Sequence, residues 1–240
     1  MSGTGNPGQL IVNFAKHPDF KVHKLALGRE RAPLLVIDNL MADAESLVDL
    51  AAKKMFGDVV TYYPGVRAKV PLSYQQFVLE HFGPLIVEYF GLSEARLRFT
   101  DCHFSLVTTP PEKLEYLQRI PHTDSYVGRE LAFIHYLFKA ELGGTSFYRH
   151  RKTGFEVIDQ ARCLEYAALR DEAENGPHAP PPAYINGDTP LYEEIDRQQG
   201  IFNRMLVYRR NSLHSACLSA SFVPDANPRT GRLSVNGFLA

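Results

Sequence analysis

The chain has 240 residues, 45% of them hydrophobic and 22% charged, with 26 Lys and Arg against 27 Asp and Glu for a formal net charge of -1. That length supports one substantial domain or two cramped ones, and the near-neutral balance gives no sign of broad electrostatic attraction to nucleic acid or to an anionic membrane. No stretch approaches the roughly 18 apolar residues of a membrane span. The Met1–Phe14 start lacks a basic segment followed by an apolar run, and the scattered Cys102, Cys163 and Cys217 suit reduced thiols of a cytoplasmic protein.

In chain order, Leu34–Leu40 is a short apolar run closed by a turn, which predicts a buried strand. Asp43 precedes Leu47, Val48, Leu50 and Ala51 at helical spacing and predicts an N-capped helix to about Met55. Tyr62-Tyr-Pro-Gly65 reads as a turn leading into a loop to Pro71, and Arg67 on that loop could line a substrate pocket. Ser73 and Gln76 have capping-box spacing for a second helix to about Phe90. From there the pattern turns to strands, at Arg96–Val107, Leu131–Phe138, Thr145–Tyr148, Ile201–Tyr208 and Arg232–Leu239. Residues 150–200 interrupt it with a helical Ile158–Glu174 and the Pro-rich Gly176–Pro182, which cannot be helix interior. That segment reads as an insertion or lid within a single domain spanning residues 1–240. An N-terminal helical layer feeding an antiparallel body predicts an α+β fold around a jelly-roll-like barrel, with the helices packed on it.

The chemistry-bearing residues fall in that strand-rich half: His122-Thr-Asp124, then a lone His214, then Arg232-Leu-Ser234. Two imidazoles and one carboxylate can occupy one face of a six-coordinate Fe(II) and leave the other face open. Residues two apart on a strand share a side, so His122 and Asp124 are expected to point together, with His214 presented by a loop after Asn203–Tyr208. His17-Pro-Asp19 repeats the spacing, but Pro18 removes a ladder donor and no strand surrounds it. By the same period of two, Arg232, Ser234 and Asn236 share a strand face, and a guanidinium offers paired donors to a carboxylate. Tyr136 shares the face of Ala132, Ile134 and Phe138.

This ordered set, with Gly143-Gly144 between its parts, resembles the Fe(II)/2-oxoglutarate-dependent dioxygenases, and most closely their prolyl-4-hydroxylase-like branch, over residues 95–240. The resemblance implies a double-stranded β-helix (jelly-roll, cupin-like) core. It implies His122, Asp124 and His214 as ligands to Fe(II), and Arg232 as the group gripping the distal carboxylate of 2-oxoglutarate. Tyr136 and Ser234 would contact that same co-substrate, and Asn236 extends the polar face. Asp124 counts against a halogenase, which leaves the carboxylate position to halide. The expected activity is hydroxylation of a C–H bond in a free amino acid, a peptide side chain or a small metabolite.

Arg232 follows His214 at a longer interval than the family usually shows, which makes Arg229 a rival anion binder; Arg232 is preferred because it begins a strand. His103 and His135 read as hydrogen-bonded core residues, and His150, beside Arg149, Arg151 and Lys152, as part of a solvated basic patch. Gly143-Gly144 reads as a tight passage between strands, and Cys102 and Cys217 as inert thiols. A non-catalytic β-barrel that binds a small acid is the alternative function; a zinc hydrolase would give no role to Arg232, Ser234 and Tyr136. The expected partner is a small molecule or peptide, with no nucleic acid and no membrane.

Overall fold

The computed structural model describes residues 12, 14–58, 62–92, 97–218 and 222–240. Lys21–Leu27 (β1) and Ala32–Asp38 (β2) form a hairpin, with Leu27 opposite Ala32 across the turn. Asp43 caps Ala44–Ala51 (α1) as expected, its side chain accepting from the Ser46 N–H at 3.0 Å. The helix stops short of Met55 because Lys53 and Lys54 offer nothing to bury, and Met55 is exposed.

After the two-residue strand Gly57–Asp58 (β3), Gly65–Lys69 is a strand (β4) rather than a loop. Val66 and Ala68 pack toward the helices and Arg67 takes the other face, a period-two pattern too short to stand out in sequence. Leu72–Phe90 (α2) starts from Pro71 in extended conformation without a side-chain cap, so Ser73 lies inside the first turn and the expected capping box does not form. Gly91, at φ 60°, ends the helix.

The remaining elements are Phe99–Val107 (β5), Leu131–Tyr136 (β6), Gly144–His150 (β7), Cys163–Glu174 (α3), Tyr192–Gln199 (β8), Met205–Arg209 (β9), His214–Cys217 (β10) and Leu233–Leu239 (β11). The start of the Arg96–Val107 expectation lies outside the described residues. Among those described, β1 and β8 escaped the sequence reading. β1 mixes charges with apolar residues, and β8, Tyr-Glu-Glu-Ile-Asp-Arg-Gln-Gln, has almost no apolar alternation.

The fold is mixed α and β, with few helices and mostly antiparallel pairing. One sheet runs β1-β2-β9-β6-β11-β5-β4-β3 and the other β10-β7-β8. The period of two sorts the large sheet into two faces. Leu35, Ile37, Phe104, Phe133, Val207 and Val235 bury against α1 and α2. Leu34, Val36, Ala132, Ile134, Tyr136 and Leu206 turn the other way and meet Phe147 of the small sheet. The second face is the floor of the site. Among the described residues no helix is long and apolar enough to cross a membrane.

Two features fix the small sheet in place. The Gly143-Gly144 passage is as tight as expected: a Cβ at Gly143 would lie 1.9 Å from the Cys217 carbonyl oxygen, and one at Gly144 would lie 1.9 Å from that of Gln198. Arg149 is not solvated; its Nε donates to Glu156 Oε1 at 2.7 Å, and Glu156 also accepts from the backbone N–H groups of Arg29 and Glu30 at 3.0 and 2.9 Å. This carboxylate binds the β1–β2 turn to β7, and Gly28, at φ 58°, has no room for a Cβ beside it.

A candidate metal centre and its cavity

His122 does not share a strand with Asp124. It forms an isolated antiparallel bridge with His214, which begins β10 instead of lying in a loop. The two residues exchange both backbone hydrogen bonds, His122 N to His214 O at 2.9 Å and His214 N to His122 O at 3.0 Å. Directly opposed residues project to the same side, so the imidazoles stand with ring centroids 4.5 Å apart. His214 Nδ1 lies 2.9 Å from the Ser212 carbonyl, to which it donates, and this leaves Nε2 as the lone-pair nitrogen facing the site. The Tyr208 ring packs edge-on against His214 at 4.7 Å.

Asp124 is placed by Arg210. Its N–H donates to the Arg210 carbonyl at 2.8 Å, and the Arg210 guanidinium donates to the Asp124 carbonyl at 2.9 Å while pairing with Glu130 at 3.0 Å. The Asp124 carboxylate reaches 3.8 Å from His122 Nε2 and 3.5 Å from His214 Nε2. One ligand atom from each of the three residues lies within 4.8 Å of the others. Donors about 2.1 Å from one ion and mutually cis stand roughly 3.0 Å apart, so a divalent cation fits this group with small inward movements. Burial first, and the neighbouring His214 second, lower the His122 pKa against the pull of Asp124, favouring the neutral form that ligates. The accessible edge of His122 lines the cavity.

That cavity, of about 620 Å³, is lined by the three candidate ligands and also by Arg232, Asn236 and Thr145. Arg232 immediately precedes β11 and is almost wholly buried. Its Nε donates to the Leu142 carbonyl at 3.2 Å and one Nη to that of Gly144 at 2.7 Å. Its charge meets no carboxylate among the described residues and stacks near Phe138, 5.4 Å from the ring centroid. Tyr136 lies behind Thr145, its hydroxyl 2.7 Å from Thr145 Oγ1, and burial pushes its pKa up to about 12. Ser234 is opposite Tyr136 in the sheet and donates to Asn236 Oδ1 at 2.5 Å. Arg229 is elsewhere, ion-paired to Asp49 on α1.

The other histidines divide. His135 is the expected core residue, hydrogen-bonded to Tyr74 and Asn203. His150 is buried against Tyr166 and Tyr192, with Nδ1 2.9 Å from Thr153 Oγ1, so the solvated basic patch expected there does not exist around it. His103 is 2.9 Å from Asp101 Oδ1 at the cavity edge. From residues 150–200, α3 contributes Tyr166 and Arg170 to the cavity wall, and the Tyr166 hydroxyl donates to the Pro121 carbonyl beside His122 at 3.3 Å. Sequence reasoning placed the Tyr62–Lys69 segment on the substrate side but missed Arg210, Thr145 and Asp101, which only their tertiary contacts reveal.

The fold is shared with SnoN, a non-heme alpha ketoglutarate dependent epimerase from nogalamycin biosynthesis, at a TM-score of 0.51 and 13% identity over 88% of this chain and 78% of that one. HygX from Streptomyces hygroscopicus, with nickel and 2-oxoglutarate bound, aligns at a TM-score of 0.49 and 13% identity over 90% of this chain and 87% of HygX. AviO1 from Streptomyces viridochromogenes Tue57 aligns at 0.43 and 14%, over 92% and 89%. No curated protein matches the sequence. The profile of a family of unknown function, DUF6445, matches residues 18–239.

Proposed function

The chain belongs to the DUF6445 family, and we propose that it is an Fe(II)- and 2-oxoglutarate-dependent oxygenase that hydroxylates a C–H bond of an amino acid, a peptide side chain or a small metabolite. One observation carries this reading: the His122–Asp124–His214 group and the acid-free guanidinium of Arg232 open into the same cavity. We read the two sheets as the walls of a double-stranded β-helix, and the arginine, serine and tyrosine pattern as that of the prolyl-4-hydroxylase-like branch.

In this reading His122, Asp124 and His214 would hold the Fe(II), a donor set of two imidazoles and one carboxylate that would leave room for a co-substrate. When bound, iron would activate dioxygen, the oxidant, which takes two electrons from 2-oxoglutarate as it is decarboxylated to succinate and two from the substrate C–H bond as it is hydroxylated. Arg232 receives the distal carboxylate. Two of its nitrogens are already fixed on backbone carbonyls, which orients the remaining N–H donors without further ordering. Tyr136 remains a phenol and steadies Thr145 at the wall, while Asn236 completes the polar end and Ser234, buried behind it, donates to its side chain. His214 is held in the ligating tautomer by Ser212, and Asp124 is held by Arg210.

Anaerobic titration with Fe(II) and 2-oxoglutarate tests this directly. A visible charge-transfer band is expected, and Asp124→Ala should abolish it together with substrate-free turnover of 2-oxoglutarate. Tight binding of the acid with no metal requirement would identify a non-catalytic binding barrel instead.

A further inference from the structure

Beyond the metal group and Arg232, the cavity holds a second pair of charges. Arg67 on β4 and Asp101 on β5 both line it. Their closest approach is 3.8 Å, from Arg67 Nη1 to Asp101 Oδ2, too long for a hydrogen bond. Arg67 Nε is buried and meets no hydrogen-bond acceptor among the described residues. The Tyr63 ring lies 4.4 Å beneath the guanidinium and fixes its plane, and His103 sits 2.9 Å from the other Asp101 oxygen. An arginine with 13% of its side chain exposed and an unused donor is costly unless something completes it.

The remaining cationic side chains at the wall are already engaged. Arg210 pairs with Glu130 and Arg170 with Asp171. Arg232 is assigned to the co-substrate in the oxygenase reading, on which this inference rests. Arg67 and Asp101 are therefore the wall charges opposed only loosely, to each other at 3.8 Å and, for Asp101, to His103. A simple anion would be attracted by one and repelled by the other, and so would a simple cation. A neutral ligand would leave the pair at its long separation and the Arg67 donor without a charged acceptor. A small zwitterion answers both.

We infer that Arg67 and Asp101 form the head-group site for the prime substrate, and that this substrate is a free α-amino acid, its carboxylate on Arg67 and its ammonium on Asp101. The sheet register sets the direction of the rest of the molecule. Asp101 lies on one rung with Phe238, Ala132 and Tyr208, and Tyr208 packs against His214. That rung crosses three strand spacings, roughly 14 Å. The head group is thus held well away from the metal group, and the amino-acid side chain runs toward it.

Binding separates this from the oxygenase reading, because it needs no turnover. The probes are the twenty proteinogenic amino acids, titrated calorimetrically into the full chain with and without Mn(II) and 2-oxoglutarate, alongside their N-acetyl and methyl-ester derivatives. At least one free amino acid should bind. Acetylation, which removes the ammonium, and esterification, which removes the carboxylate, should each weaken it by about tenfold or more. Arg67→Met and Asp101→Asn should do the same, and the derivatives keep the test valid if a variant fails to fold. The assignment is overturned if no free amino acid binds, or if derivatives bind as well as the parent. It is also overturned if Arg67→Met weakens 2-oxoglutarate and leaves the amino acid unaffected. An amino acid that binds to a chain lacking the charge-transfer band would keep this site and discard the oxygenase.

Discussion

Acid should destabilise this protein in part through one buried histidine. His135 on β6 is fully buried, with Nδ1 3.1 Å from the Tyr74 hydroxyl of α2 and Nε2 3.2 Å from Asn203 Oδ1. Asn203 Oδ1 also accepts from the Met41 N–H at 3.2 Å, so the imidazole is neutral with its proton on Nε2. Burial, only partly opposed by the Asn203 bond, lowers the pKa from 6.5 to about 4. The nearby Cys102 thiol, raised by its own burial, stays neutral throughout. Above pH 6.5 neither the folded nor the unfolded chain protonates His135. As the pH falls through 6.5 the unfolded chain gains a proton that the folded chain refuses, and the loss is complete near pH 4. A shift of that size corresponds to about 3 kcal/mol. Urea denaturation with a chelator, compared between about pH 7.5 and about pH 4 for the parent and His135→Gln, measures it. Gln keeps a donor and an acceptor but does not titrate, so the parent should lose about 3 kcal/mol more than the variant across that window. Parallel pH profiles would refute the reasoning.

Arg210→Met removes the donor that holds the Asp124 carbonyl; Mn(II) affinity measured calorimetrically should fall on the order of 10- to 100-fold, and unchanged affinity would show that the backbone bond to Asp124 suffices. Glu156→Gln leaves Arg149 without its buried counter-charge, and the urea midpoint should fall by the equivalent of roughly 3–5 kcal/mol; a neutral outcome would mean that Glu193, 2.7 Å from Arg149, carries the charge alone.

The chemistry was more legible in the sequence than the scaffold that delivers it. His122, Asp124, His214 and Arg232 are rare residue types in an order that survives without geometry, and the structure brings them to one cavity. Their mechanism of convergence was not legible. Period two on a single strand suggested a side-by-side His122 and Asp124, whereas the actual neighbour of His122 is His214, some ninety positions away in the chain. The apolar strands β2 and β6 announced themselves, because burial on both faces leaves nearly continuous hydrophobic runs. β4 and β8 did not, since each has one face exposed to solvent or cavity and carries arginines, glutamates and glutamines there. Arg149 and His150 misled for a related reason: a cluster of basic residues looks solvated until the glutamate that pairs with it arrives from elsewhere. Arg67 attracted notice as a loop cation, but Asp101 gave no signal until the folded chain brought the two side chains within 3.8 Å; in the register of β4 on β5 Arg67 is opposite Ser105, four residues further along.

The main-chain clasp between His122 and His214 has a consequence for how the protein is assembled. Two main-chain hydrogen bonds set the imidazoles side by side whatever their side chains ligate, so chelation should leave the surrounding strands folded, in contrast to small domains whose metal is their only core.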